Sequence, residues 1–212
     1  MEEKQKEPLL KVGIVVAVFA IVLILLTVLN KFSFANINMD NVDKDTQNEE
    51  VAIVSKYTAT IKTNMGEIVV ALYDAQAPNT VNNFIELSEK GFYDGLIFHR
   101  VVPGFVIQGG DPDGNGRGGP GYKFDDEISD IKFKTYTLAM ANSGANTNGS
   151  QFFITTGDIQ VANLRNLDGG YTIFGSVLSG QDVVDSISRV ERDAYEKPLS
   201  DVVMESITIS EI

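Results

Sequence analysis

The longest unbroken apolar run comes first along the chain. Val12 to Leu29 spans 18 residues without a charge, with Gly13 and Thr27 as its mildest members. As a helix it would reach about 27 Å, close to the roughly 30 Å thickness of a bilayer's hydrocarbon core. Lys4, Lys6 and Lys11 precede it and Lys31 follows; Asp40, Asp43, Asp45, Glu49 and Glu50 come next. This charge order predicts a signal anchor over 12–30, with residues 1–11 in the cytoplasm and everything beyond on the outer side of the cell membrane. Two other readings compete. Ser33-Phe34-Ala35 has the small-x-small form of a cleavage site, although the apolar run is longer than a signal peptide needs. A buried helix of a soluble domain fits poorly with the polar stretch that follows. Residues 31–55, rich in Asn, Asp, Gln and Glu, read as a linker. Residues 56–212 read as one folded domain.

Within that domain the apolar positions change period. Tyr57–Lys62 and Glu67–Leu72 alternate, and Asn64-Met65-Gly66 between them predicts a hairpin turn. Ala77-Pro78-Asn79 opens a segment where Val81, Phe84, Ile85 and Leu87 recur at helical spacing up to Lys90, and Gly91 stops it. Leu96–Arg100, Phe105–Gly109, Thr137–Ala141, Gln151–Thr155, Tyr171–Val177 and Val202–Ile209 are short strand candidates, with Val101-Val102-Pro103-Gly104 as the turn between the first two. Asp182–Ser188, carrying Val183, Val184 and Ile187, predicts a second helix. Many short strands at close spacing predict an all-β closed barrel, since closure removes exposed edges, with two helices capping its ends.

Charge narrows the partners. The chain carries 17 basic and 29 acidic side chains; residues 1–55 take five and eight of these, which leaves 12 against 21 and a net charge of −9 for the domain. That sign argues against nucleic acid. With no cysteine in the chain, no disulfide and no lipidated thiol are available. Gly109–Gly121 is dense in glycine, but it has no Gly-Lys-Ser/Thr and no helix after it, so a phosphate cradle is a poor reading. Asp111, Asp113 and Asn115 alternate like the start of a calcium loop, but neither a closing Glu nor a flanking helix pair stands at the right offset.

The chemistry concentrates at Phe98-His99-Arg100 and the apolar residues that follow. An unpaired guanidinium in an apolar stretch is costly. Arg100 either pairs with an acidic neighbour or faces a groove and donates to a polypeptide, for which its planar donors suit better than a Lys. Gln108, Asn142 and Gln151 are amides near strand ends that could bind a peptide or satisfy loop backbone. Phe105, Val106, Phe153 and Leu167 are core residues by default, but beside an Arg and several amides they could line a pocket for a proline ring. His99 is the only imidazole in the chain, too little for an ordinary zinc site, and it reads as a packing and hydrogen-bonding residue. Ser143 and Ser150 lack a G-x-S-x-G elbow, which weakens a hydrolase reading. No cofactor is expected.

Three blocks in order resemble the cyclophilin-type peptidyl-prolyl cis-trans isomerases. They are Phe98-His99-Arg100-Val101-Val102-Pro103-Gly104-Phe105-Val106-Ile107-Gln108-Gly109-Gly110-Asp111, the stretch from Leu138 through Ala141-Asn142 to Gln151-Phe152-Phe153-Ile154, and Leu167-Asp168-Gly169-Gly170-Tyr171-Thr172-Ile173-Phe174-Gly175. The resemblance covers nearly all of 56–212. It implies an eight-stranded antiparallel barrel closed by two helices, and a groove for peptides containing X-Pro. It implies Arg100 as the catalytic arginine, Gln108 as the amide beside it, and Phe105, Val106, Phe153 and Leu167 as the wall of the proline pocket. Ala141 and Asn142 become a backbone shelf flanked by Gln151, and His99 a residue at the groove's edge. Two positions depart from many eukaryotic members: Asn166 stands where they carry Trp, and Tyr171 where they carry His. Loss of the indole donor implies weaker cyclosporin binding, while Tyr171 still offers a ring and a hydroxyl to the pocket.

The expected protein is thus a monomeric, membrane-anchored isomerase acting on X-Pro bonds of newly exported polypeptides as a folding factor. Its chief rival is a module at the membrane that binds Pro-containing segments as a chaperone or scaffold without turning them over.

Overall fold

A computed structural model describes residues 55–212, which belong to a single compact unit. The first two strands show how the alternation is used. β1 (Tyr57–Thr63) and β2 (Gly66–Leu72) pair antiparallel, with Ile61 opposite Ile68 and Ala59 opposite Val70, all four fully buried. The turn at Asn64-Met65 is tied by the Thr63 hydroxyl, which accepts from Met65 N–H and donates to the Gly66 carbonyl. Helix α1 (Pro78–Glu89) begins with proline, whose missing N–H is no loss in a first turn. It buries Val81, Phe84 and Leu87. Gly91 (φ 66°) ends it: Gly91 N–H bonds to Ser88 O and Phe92 N–H to Leu87 O, the paired closing bonds that a left-handed residue permits.

The remaining elements are β3 (Arg100–Val102), β4 (Val106–Gly109), β5 (Thr137–Met140), β6 (Phe152–Thr155), helix α2 (Val161–Leu167), β7 (Ile173–Ser179), helix α3 (Gln181–Ser188) and β8 (Met204–Glu211). All strand pairings are antiparallel, in the order β3-β4-β6-β5-β7-β2-β1-β8. Inside the curl lies the main core, where Phe84 of α1 packs among the rings of Tyr93, Phe152 and Phe174.

Two expectations about this architecture need correction. The eight strands are present, but they form an open, curled antiparallel sheet rather than a closed barrel, because the end strands β3 and β8 do not pair. Where closure would occur, residues 95–98 meet 202–204 through one isolated bridge, Ile97 with Val203, and the bonds Phe98 N–H to Val202 O, Gly95 N–H to Met204 O and Met204 N–H to Leu96 O. β3 is only three residues long, and its outer edge is covered by a loop: Val101 N–H donates to Glu196 O. A loop can protect an edge without a strand ladder. The described helices number three rather than two, since α2 was not foreseen.

The membrane anchor is also withdrawn, and with it the single-pass topology, the cell-membrane localisation and the choice of exported chains as clients. No helix among the described residues is long and apolar enough to cross a membrane. The longest, α1, has 12 residues and reaches only about 18 Å, against roughly 30 Å of hydrocarbon. The stretch 12–30 and the linker, apart from Ser55, lie outside the described residues.

One long-range contact holds the start of α1. Its cap residue, Ala77, offers no side-chain acceptor. Glu127, about 50 residues downstream, supplies one from across the fold: Oε1 accepts from Asn79 N–H and Nδ2 (3.1 and 3.0 Å), and Oε2 from Thr80 N–H and hydroxyl (both 2.8 Å). A carboxylate there also opposes the positive end of the helix dipole. Glu127→Ala is expected to lower unfolding free energy by about 1–3 kcal/mol in urea titrations, because several charge-assisted bonds are lost together.

Candidate functional site

Alternation decides which residues leave the core. In β3 Val101 points inward and Arg100 outward; in β4 Ile107 points inward while Val106 and Gln108 point outward; in β6 Phe152 and Ile154 point inward and Phe153 outward. Register lines up the outward set, with Arg100 opposite Gln108, Gln108 opposite Phe153, and Phe153 opposite Ala139. The outer face therefore carries a second apolar cluster of Ala139, Val106, Phe153, Ile159, Leu167 and Ile173, with Phe105, Leu164 and Tyr171 packed on it. Phe133 stacks on Phe153 at 5.9 Å, and Tyr171 meets the Phe153 ring edge-on at 5.3 Å.

A hollow of about 190 Å³ opens in this face. Its apolar wall is Phe105, Val106, Phe153, Leu167 and Tyr171, and its polar side is Arg100, Gln108, Ala141 and Asn142. Sites for drug-sized ligands start at about 300 Å³, so the space suits one side chain or ring. Phe105 is delivered by a tight turn: Phe105 N–H bonds to Val102 O, Gly104 (φ 69°) takes the left-handed conformation, and Gly104 N–H is held by the Asp158 carboxylate. Leu167 is delivered by α2, the helix missed in the sequence, although Val161, Leu164 and Leu167 recur every third residue.

The polar side is a hydrogen-bonded chain. Arg100 Nε donates to Glu196 Oε2 at 2.6 Å, and Nη1 makes a long contact to Gln108 Oε1 at 3.5 Å. Gln108 Nε2 donates to Gln151 Oε1 (3.0 Å), and Gln151 Nε2 to Gly118 O (2.9 Å). Arg100 pairs with an acid through Nε, as one of its two readings had it, and it also lines the hollow. The pair is part exposed, at 37% and 40%. No spacing pattern points to Glu196, which reaches the site from a loop far along the chain. Gln151 does not line the hollow but an adjoining recess of about 720 Å³, which shares Gln108, Ala141 and Asn142 with it. The side chain of Asn142 is engaged within the protein, donating to Gly170 O in the segment before β7 and accepting from Gly144 N–H of its own loop.

The glycine-rich loop folds around one carboxylate. Asp111, almost fully buried, accepts from the N–H groups of Asp113, Asn115 and Gly116. Gly118 passes so near that a Cβ there would strike Asp111 Oδ1. Burial pushes the Asp111 carboxyl up, but those three donors and the field of His99 more than offset this and hold it below its ordinary range. The loop thus closes on itself around a side chain, and its carbonyl at Gly118 steadies Gln151.

His99 is the predicted site residue that the structure sets apart. It is 6% exposed, does not line the hollow, and among the described residues neither ring nitrogen has a hydrogen-bond partner. Burial lowers its pKa from the ordinary 6.5; the Asp111 carboxylate pulls the other way, and Arg100 and Lys197 add to the lowering.

The family profile described as "Cyclophilin type peptidyl-prolyl cis-trans isomerase/CLD" matches residues 58–209. The chain belongs to the cyclophilin-type peptidyl-prolyl cis-trans isomerases. Similar relatives include peptidyl-prolyl cis-trans isomerase A of Mycobacterium tuberculosis, 49% identical over 172 residues covering 72% of this chain and 92% of that protein. Peptidyl-prolyl cis-trans isomerase B of Streptomyces anulatus is 47% identical over 171 residues, covering 71% and 95%. Among solved structures, a cyclophilin-type isomerase of Cryptosporidium parvum superposes with a TM-score of 0.68 at 38% identity, covering 73% of this chain and 98% of that one. This cyclophilin is accordingly an enzyme that isomerises X-Pro peptide bonds.

The lone imidazole allows a clean pH test. With its folded pKa lowered, His99 contributes stability that is complete above pH 6.5 and is lost as pH falls toward the folded value, because the unfolded chain takes up the proton first. The single imidazole resonance in an NMR titration is expected to stay neutral below pH 6.5, with unfolding free energy declining from pH 7 to 5. A midpoint at or above 6.5 would contradict this.

Proposed function

We propose that Arg100 is the catalytic residue, and that it works by donating to the prolyl nitrogen of a twisted X-Pro amide. Rotation about the C–N bond loses resonance and has a barrier of about 18–20 kcal/mol. No bond has to break, so no nucleophile is required. As the amide twists, the nitrogen becomes pyramidal and gains a lone pair, to which a nearby N–H donor bonds more strongly than to either planar form. This is preferential binding of the transition state by a preorganised donor.

The observation that carries the reading is a guanidinium and five apolar side chains lining one hollow sized for a ring. Phe105, Val106, Phe153, Leu167 and Tyr171 hold the proline ring still while the preceding carbonyl swings. Glu196 takes up Nε, and among the described residues the Nη atoms make only the long contact to Gln108, so the outer edge of the fork remains available. Gln108, braced by Gln151, assists in holding the substrate carbonyl. The backbone at Ala141 and Asn142 receives the residue before proline. A solved structure of the Cryptosporidium parvum relative was obtained in the presence of the dipeptide Ala-Pro, which makes peptides carrying that bond a fitting first substrate here.

Arg100→Ala is expected to lower kcat/KM toward an Ala-Pro peptide on the order of 10²–10³-fold, with a smaller loss in peptide affinity. A protease-coupled or NMR exchange assay measures this, and a loss under about threefold removes Arg100 from the mechanism. A second expectation concerns Asn166, which is exposed on α2. Asn166→Trp is expected to tighten cyclosporin binding in a fluorescence titration while leaving isomerisation within about twofold, since a rim donor adds contact to the inhibitor and none to the prolyl nitrogen.

A further inference from the structure

Glu196 sits on the loop that shields the open edge of β3. That loop is a tight excursion: Arg192 bridges Pro198, Leu199 N–H bonds to Glu191 O, and the Asp193 carboxylate accepts from Tyr195 N–H and Lys197 N–H. At its tip Glu196 takes φ 67°, in the left-handed region that glycine or asparagine adopts far more readily than a long side chain. Its carbonyl accepts from Val101 N–H at 2.8 Å. That backbone bond needs no carboxylate, and glycine would hold the same turn at less cost. The side chain does something else: it places Oε2 2.6 Å from Arg100 Nε.

We infer that Glu196 is the positioning residue for Arg100, fixing the plane of the guanidinium from its Nε side so that the Nη edge stays turned toward the prolyl nitrogen. The inference rests on the role proposed for Arg100. Arginine is long and loses much rotamer freedom when it is held in one pose. Here it is gripped at two points, strongly by Glu196 at Nε and weakly by Gln108 at Nη1. A carboxylate engaging both Nη atoms would occupy the edge that faces substrate, whereas one at Nε leaves it open. A part-exposed pair of this kind adds little to global stability. Its effect belongs in the chemical step, where small misplacements of a donor lower the rate steeply.

The test compares Glu196→Gly and Glu196→Gln in the wild-type and Arg100→Ala backgrounds, using NMR exchange on an Ala-Pro peptide to read the isomerisation rate on the enzyme separately from peptide Kd. Glu196→Gly allows the left-handed turn and the Val101 bond and removes the side chain that carries the carboxylate. It is expected to slow the bound-state rate on the order of tenfold with Kd within about twofold. Glu196→Gln, which keeps an acceptor for Nε, is expected to lose less. In the Arg100→Ala background the Gly substitution is expected to have no further effect, since the two act as one unit. A loss under about twofold in Glu196→Gly, or an equal loss with and without Arg100, overturns the positioning role. If Arg100→Ala is itself active, the proposed mechanism falls and the role of Glu196 with it; if only Glu196→Gly is active, Arg100 stands and Glu196 alone is overturned.

Discussion

A guanidinium at the mouth of an apolar hollow has to be held without being consumed. Left unpartnered it would be costly and would swing among rotamers; gripped at every donor it would have nothing to offer a substrate. Arg100 meets both demands by an uneven division of its donors. Nε is tightly bound to Glu196, Nη1 only loosely touches Gln108, and the residue still lines the space where the apolar side chains converge. The site elements are arranged around that division. Gln108 stays in reach because Gln151 holds it, and Gln151 is held by a glycine-rich loop wound around a buried carboxylate.

The open seam of the sheet belongs to the same arrangement. A full ladder between β3 and β8 would have filled the edge of β3 with strand. The edge is instead left to a loop, and that loop brings an acidic side chain to the guanidinium. The curl is sustained by packing on both sides. Phe152 and Ile154 feed the main core while Phe153, between them, feeds the outer cluster, so one strand serves both the core and the wall of the hollow. The guanidinium and the ring-sized hollow thus share one face of the sheet.

Much of this was written in local pattern. The alternation of Arg100, Val101 and Gln108, Ile107 sets which side chains face outward, the Pro78 and Gly91 signals bound α1, and the ordered blocks from Phe98 to Gly175 identify the family. Strand period and helix caps act over a few residues, so they survive in one dimension. The long apolar run near the N-terminus was an equally strong local signal, but it lies outside the described residues, and among those described no helix can cross a membrane.

What only the tertiary structure decided is everything that depends on which distant segments meet. Whether the sheet closes depends on two end strands separated by most of the domain, and no local preference specifies that contact. Glu127 capping α1, Glu196 holding Arg100 and Gly118 steadying Gln151 are pairings of side chains and backbone groups with no spacing rule between them. The burial of His99 away from the hollow likewise could not be read from its place beside Arg100. Adjacent residues in a strand point to opposite faces, so the sequence by itself determined which residues could take part, and the fold decided which of them line the hollow and by what they are held.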